Sequence, residues 1–96
     1  MKKNEILDLV SEKEGKYLDL VWYARSYKNL HVDGVAESRT RIEKSYPNET
    51  ENLNDSDSSD WHHGFNSGML AALRFIIDLD EEGLESAEEN FPSLDT

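Results

Sequence analysis

The chain has 96 residues, of which 36% are hydrophobic and 32% charged, with a net charge of −11 and no cysteine. That length makes one domain with a small core, and without thiols it holds neither disulfides nor thiolate metal sites. Residues 1–47 carry 8 acids and 9 Lys/Arg, whereas residues 48–96 carry 13 acids and a single base, Arg74. The clustered cations that nucleic-acid backbones and anionic membranes require are therefore missing, and direct binding to either is not expected.

Met1-Lys2-Lys3 has the charge of a signal-peptide start, but Glu5, Asp8, Glu12 and Glu14 follow at once and no apolar segment develops. No run approaches the roughly 18–20 apolar residues of a membrane span. The expectation is a cytoplasmic protein. Asn4 is a suitable N-cap, and Ile6, Val10, Tyr17, Leu20, Val21, Ala24 and Tyr27 recur at helical spacing. This predicts a first helix over residues 4–29, with an irregularity at Gly15. Its aromatic residues Tyr17, Trp22, Tyr23 and Tyr27 read as core and core edge.

Asp33 can cap a second, shorter helix over residues 34–45, whose apolar side is Val35, Ile42 and Tyr46. Tyr46-Pro47 is expected to end it, because the residue before proline is pushed out of the helical region. Residues 48–59 are rich in Asn, Asp, Ser and Glu with Leu53 as their one large apolar side chain, and read as an acidic mobile loop.

The third helix, residues 60–82, is apolar on almost every side, so more than one neighbour must cover it. Its core stripe is expected to be Trp61, Phe65, Gly68, Ala72, Ile76 and Leu79, with Leu70, Leu73 and Ile77 as an extra flank. Gly64, Gly68, Ala71 and Ala72 are small enough to let another backbone come close. Helix packing or an interface is thus expected at Gly64, Gly68, Leu70, Ala71, Ala72, Leu73 and Ile77, with Gly68 as a close-packing position. Either Gly83 ends the helix or an acidic extension runs on to Glu89, with Pro92 closing off any helix beyond, and residues 84–96 form an acidic tail with Leu84, Phe91 and Leu94 spaced along it.

Chemical sites are weak. His62 and His63 are neighbours, and adjacent helical residues point about 100° apart, so one metal ion is poorly served by both. Asp78, Asp80, Gly83 and Glu89 match a calcium loop at its first, third, sixth and twelfth positions. Glu82 stands where a short ligand belongs, Glu85 where a branched apolar residue belongs, and Pro92 cuts the outgoing helix. A magnesium site built on Glu81, Glu82 and Glu85 lacks a second acidic helix to complete it. No cofactor is expected.

The sequence thus predicts an all-α fold of two long antiparallel helices with a shorter middle helix, in a single helical domain over residues 1–83. The unsatisfied flank of the third helix predicts a homodimer that completes a helical bundle. The favoured function is a non-enzymatic protein–protein interaction or regulatory module. Behind it stand an acidic nucleic-acid mimic that occupies a DNA-handling partner's basic groove and, further back, a metal-dependent enzyme.

Overall fold

The computed structural model describes residues 2–83, and all of its regular structure is helical. Four α-helices follow in chain order: α1 (Lys3–Ser26), α2 (Val35–Ser45), α3 (Pro47–Asn54) and α4 (Ser59–Glu81), with a 3-10 turn at Tyr27–Asn29. Where two long helices and one shorter one were expected, there are two long and two short.

The long helices α1 and α4 lie antiparallel, and three contacts along them fix the register. Lys3 Nζ meets Asp80 Oδ1 at 3.0 Å, Arg74 Nε meets Glu14 Oε1 at 3.2 Å, and the Tyr17 and Phe65 rings meet edge to face at 6.5 Å. These ion pairs are partly exposed, so each contributes at most about 1 kcal/mol and serves mainly to mark alignment. α1 runs unbroken through Gly15, contrary to the expected irregularity there. The Glu5 carboxylate accepts the Lys2 N–H at 3.3 Å and satisfies one of the orphan donors at its start.

α3 occupies the segment expected to be a mobile loop. Pro47 does not simply end α2; it opens the next helix at its first position, where the missing N–H is not needed and φ is already helical. Thr50 and Leu53 turn inward, and the Thr50 hydroxyl donates to the Tyr46 carbonyl at 2.9 Å. Only residues 55–58 remain as a connection. There the Asp55 carboxylate accepts the Asp57 N–H at 3.0 Å, an Asx turn that leads into α4. At the far end Gly83 has φ 90°, a left-handed conformation that glycine adopts without a steric penalty, and α4 stops there as expected.

The core is concentrated at one end of the long pair. Leu20, Tyr23 and Ile42 are almost fully buried, Leu53 joins them, and Tyr17, Ala24 and Tyr46 pack around the cluster. Tyr23 is its polar keystone. Its hydroxyl donates to Glu43 Oε2 of α2 and accepts from Asn54 Nδ2 of α3, both at 2.9 Å. Arg39 lies 4.0 Å over the Tyr23 ring and donates to the Tyr23 carbonyl (2.8 Å) and the Ser26 hydroxyl (2.6 Å). One side chain of α1 thereby ties down both short helices.

Burial raises the Tyr23 phenol above its ordinary value of 10.0; the Asn54 bond opposes this, the Glu43 carboxylate adds to it, and the Arg39 charge opposes it. Since the neutral phenol is the form the fold favours, its contribution is complete below about pH 10 and is withdrawn as pH rises through the higher folded-state value. Tyr23→Phe is expected to lower stability by about 1 kcal/mol at pH 7, the usual net worth of such a bond. It is also expected to flatten the alkaline fall in stability. Denaturant midpoints between pH 7 and 11 check both parts.

Candidate functional site

The positions singled out on α4 separate onto two faces. Leu70 and Leu73 are buried on the side turned to α1, and Ile77 is half-buried beside them. Gly64, Gly68 and Ala72 are exposed, with Ala71 half-buried at the edge. The two faces are thus the reverse of the expected arrangement: the flank is the inner face, and the expected core stripe is the outer one. Trp61 is 66% exposed and Phe65 48%, and Ile76 and Leu79 are also exposed. Gly68 was expected to be a close-packing position, yet a Cβ added there or at Gly64 meets nothing within 4 Å. Among the described residues this groove is open.

The polar edges are consistent with this orientation: Arg74 meets Glu14 and Asp80 meets Lys3 along the border of the inner face. Asn66, on that same inner face, is buried with Leu70 and Leu73.

The exposed stripe continues onto α1. Tyr17 touches Phe65, and Ile6 lies eleven residues earlier, three helical turns away on the same face. Ile6 and Leu9 are both exposed. α2 and α3 pack beside the later half of α1, around Leu20 and Tyr23, so among the described residues this earlier half has no third helix beside it. Ile6 of α1 and Trp61, Phe65, Ile76 and Leu79 of α4 are therefore exposed on neighbouring faces of the helix pair. Trp61 and Phe65 stack on each other, with centroids 5.6 Å apart and planes 8° from parallel. A contiguous patch of this kind is uncommon on a protein surface and marks association sites. The α1 half of it was not foreseen, since Ile6 read as an ordinary core position.

The weak metal candidates are not gathered into a site. His62 packs edge to face on Trp61 at 5.0 Å and lines a shallow cleft of about 250 Å³ with Tyr17, Glu49, Asn52 and Phe65. His63 lines a different cleft, of about 670 Å³, with Tyr23, Arg39, Asn54 and Asp60. The two rings thus serve separate clefts. Asp80 is held by Lys3, Asp78 is half-buried, Glu82 is exposed, and Glu89 lies outside the described residues with the rest of the acidic tail. Among the described residues no three His, Asp or Glu side chains are grouped to hold a metal ion, and no described helix is long and apolar enough to cross a membrane.

Comparison with protein-family models, with curated proteins and with solved structures returns no match for this chain.

Proposed function

We propose that this protein is a non-enzymatic protein–protein interaction module whose working surface is the open apolar face of α4 and the first half of α1. The observation that carries the reading is the exposure of Trp61, Phe65, Ile76 and Leu79 on one continuous face. Burying large apolar side chains is the main source of fold stability, at about 25 cal/mol per Å². Four of them left exposed on one helix, among the described residues, offer that surface to something outside the helix pair. The acidic surface supports the same reading over nucleic-acid mimicry. Two of the ordered acids, Glu49 and Asp80, are engaged by Lys16 and Lys3 of α1 and are not free to imitate a row of phosphates.

The test compares the wild-type chain with a Phe65→Ser/Ile76→Ser variant, each as bait in an extract of the host cell and each in self-association. The variant is expected to keep its helical circular dichroism and to lose a specific partner, whether another protein or itself. If both chains bind the same molecules equally well, the surface is idle and the reading fails.

A further inference from the structure

Cations are scarce in this chain, 10 Lys and Arg against 21 acids, so a cation without an acidic partner is informative. Lys3, Lys16, Arg41 and Arg74 each meet a carboxylate. Among the described residues Arg25, Lys28 and Arg39 meet none. All three line one cleft, of about 670 Å³, where α1 ends and α4 begins. Asp60 is the one acid in that lining. Three like charges gathered against a single acid repel one another, and an anion from outside relieves that repulsion.

Arg39 is the most prepared of the three. Its Nη1 group is used inward, donating to the Tyr23 carbonyl at 2.8 Å and the Ser26 hydroxyl at 2.6 Å. The guanidinium also lies 4.0 Å over the Tyr23 ring. A guanidinium carries five N–H donors, and both of these bonds come from Nη1, so Nε and Nη2 have no partner among the described residues. The group is fixed from behind with a fork of donors left over, the geometry that takes two oxygens of a phosphate or carboxylate.

Arg25 and Lys28, one turn apart, carry the charge along the rim; both are exposed, and Lys28 Nζ lies 5.8 Å from the Tyr27 ring centroid. His63 stands in the same wall, and its buried Nδ1 has no hydrogen-bond partner. Buried polar atoms nearly always have one, so the chain alone does not complete this wall. Ala24, Tyr27 and Leu53 supply apolar surface beside the charge.

We propose that this cleft binds a small organic molecule bearing a phosphate group, with the phosphate on Arg39, Arg25 and Lys28 and the carbon portion against Tyr27 and Leu53. The lining has three cations and one acid, a balance of +2 with His63 neutral, and a phosphate monoester carries about −1.5 to −2 at pH 7. The volume falls in the range of small-molecule sites, about 300–1,000 Å³. A cluster confined to one cleft is too short to track a nucleic-acid backbone. The inference is independent of the interaction surface, since none of Trp61, Phe65, Ile76 and Leu79 lines this cleft. Leu30 and Val32 are exposed on the turn just past Lys28, so a lipid headgroup is a second source of the same chemistry.

Calorimetric titration of the full chain with phenyl phosphate is expected to show one saturable site, with inorganic phosphate binding there more weakly. Arg25→Gln/Lys28→Gln is expected to weaken phenyl phosphate by about tenfold or more, a loss of 1.4 kcal/mol per factor of ten. Its circular dichroism is expected to stay unchanged, because neither side chain bonds to another element of the fold. Asp60→Asn is expected to tighten binding by removing the one like charge, a gain that a purely structural role for these residues does not produce. Co-sedimentation with phosphatidylcholine vesicles containing phosphatidic acid separates the two sources. Retention that phenyl phosphate displaces marks a lipid headgroup, and phenyl phosphate binding without retention marks a soluble molecule. Absence of saturable binding to phenyl phosphate and to the vesicles overturns the proposal. So does binding that the Arg25→Gln/Lys28→Gln variant keeps in full.

Discussion

Leu20→Ala is expected to lower the folding free energy by about 2–5 kcal/mol, the range for truncating a fully buried leucine. Leu20 is 0% exposed and sits in the one cluster that joins α1 to both short helices. A domain of this size has about 5–15 kcal/mol in total, so the variant loses a large share of its stability. The melting temperature is expected to fall by roughly 8–40 °C, at about 4–8 °C per kcal/mol. Ile42, also 0% exposed, is the only buried residue of α2, and Ile42→Ala should be nearly as severe. Ile42→Val is expected to cost only about 0.5–1.5 kcal/mol because most of the volume stays filled. Thermal and denaturant unfolding of the three variants side by side checks the order. Equal, small losses for all three would place the core elsewhere.

The second large effect separates the two faces of α4. Leu73→Asp is expected to remove at least about 3 kcal/mol, since it sets an unpaired carboxylate between α1 and α4 where water reaches it poorly. Ile76→Asp, three residues on, is expected to change monomer stability by less than about 1 kcal/mol, as exposed substitutions do. The comparison should be made by urea titration at low micromolar or lower protein, where self-association contributes least. If Ile76→Asp is as damaging as Leu73→Asp under those conditions, the face turned to α1 has been misassigned.

The chain's helical class, the termination of α4 at Gly83 and the inward side of α2 at Ile42 were legible in the sequence. Each rests on a local signal: period-3.6 apolar spacing for the helices and a glycine that can take positive φ for the stop. α3 was not legible. Its eight residues include only one large apolar side chain, Leu53, and a proline at its head reads equally well as the end of α2 or the start of a new helix. What decides is tertiary: Asn54 reaches the Tyr23 hydroxyl, and Lys16 reaches Glu49. The reversal of α4 has a related origin. A helix that is apolar nearly all round carries no periodic mark of which face is inner, and the larger side chains Trp61 and Phe65 drew the assignment outward. The pairing of Arg74 with Glu14 was the available clue, but it becomes usable only once α1 and α4 are set in register. The candidate surface was not legible: Trp61, Phe65, Ile76 and Leu79 read as a core stripe and Ile6 as an ordinary core position, and only their exposure in the folded chain marks them out.

The placement of α2 and α3 along α1 divides the molecule into unequal halves. Where the short helices sit, Leu20, Tyr23 and Ile42 are sealed and cross-tied by hydrogen bonds among three helices. At the opposite end, α1 before Val10 and α4 after Leu73 are, among the described residues, the two helices that face each other, joined at the tip by the exposed Lys3–Asp80 contact. Among the described residues, fewer apolar side chains are fully buried there than at the end where the short helices sit, and a smaller buried apolar area lowers the free energy of local opening. The exposed apolar residues Ile6, Leu9, Ile76 and Leu79 lie at that end. The less sealed end of the molecule and its exposed apolar side chains therefore coincide.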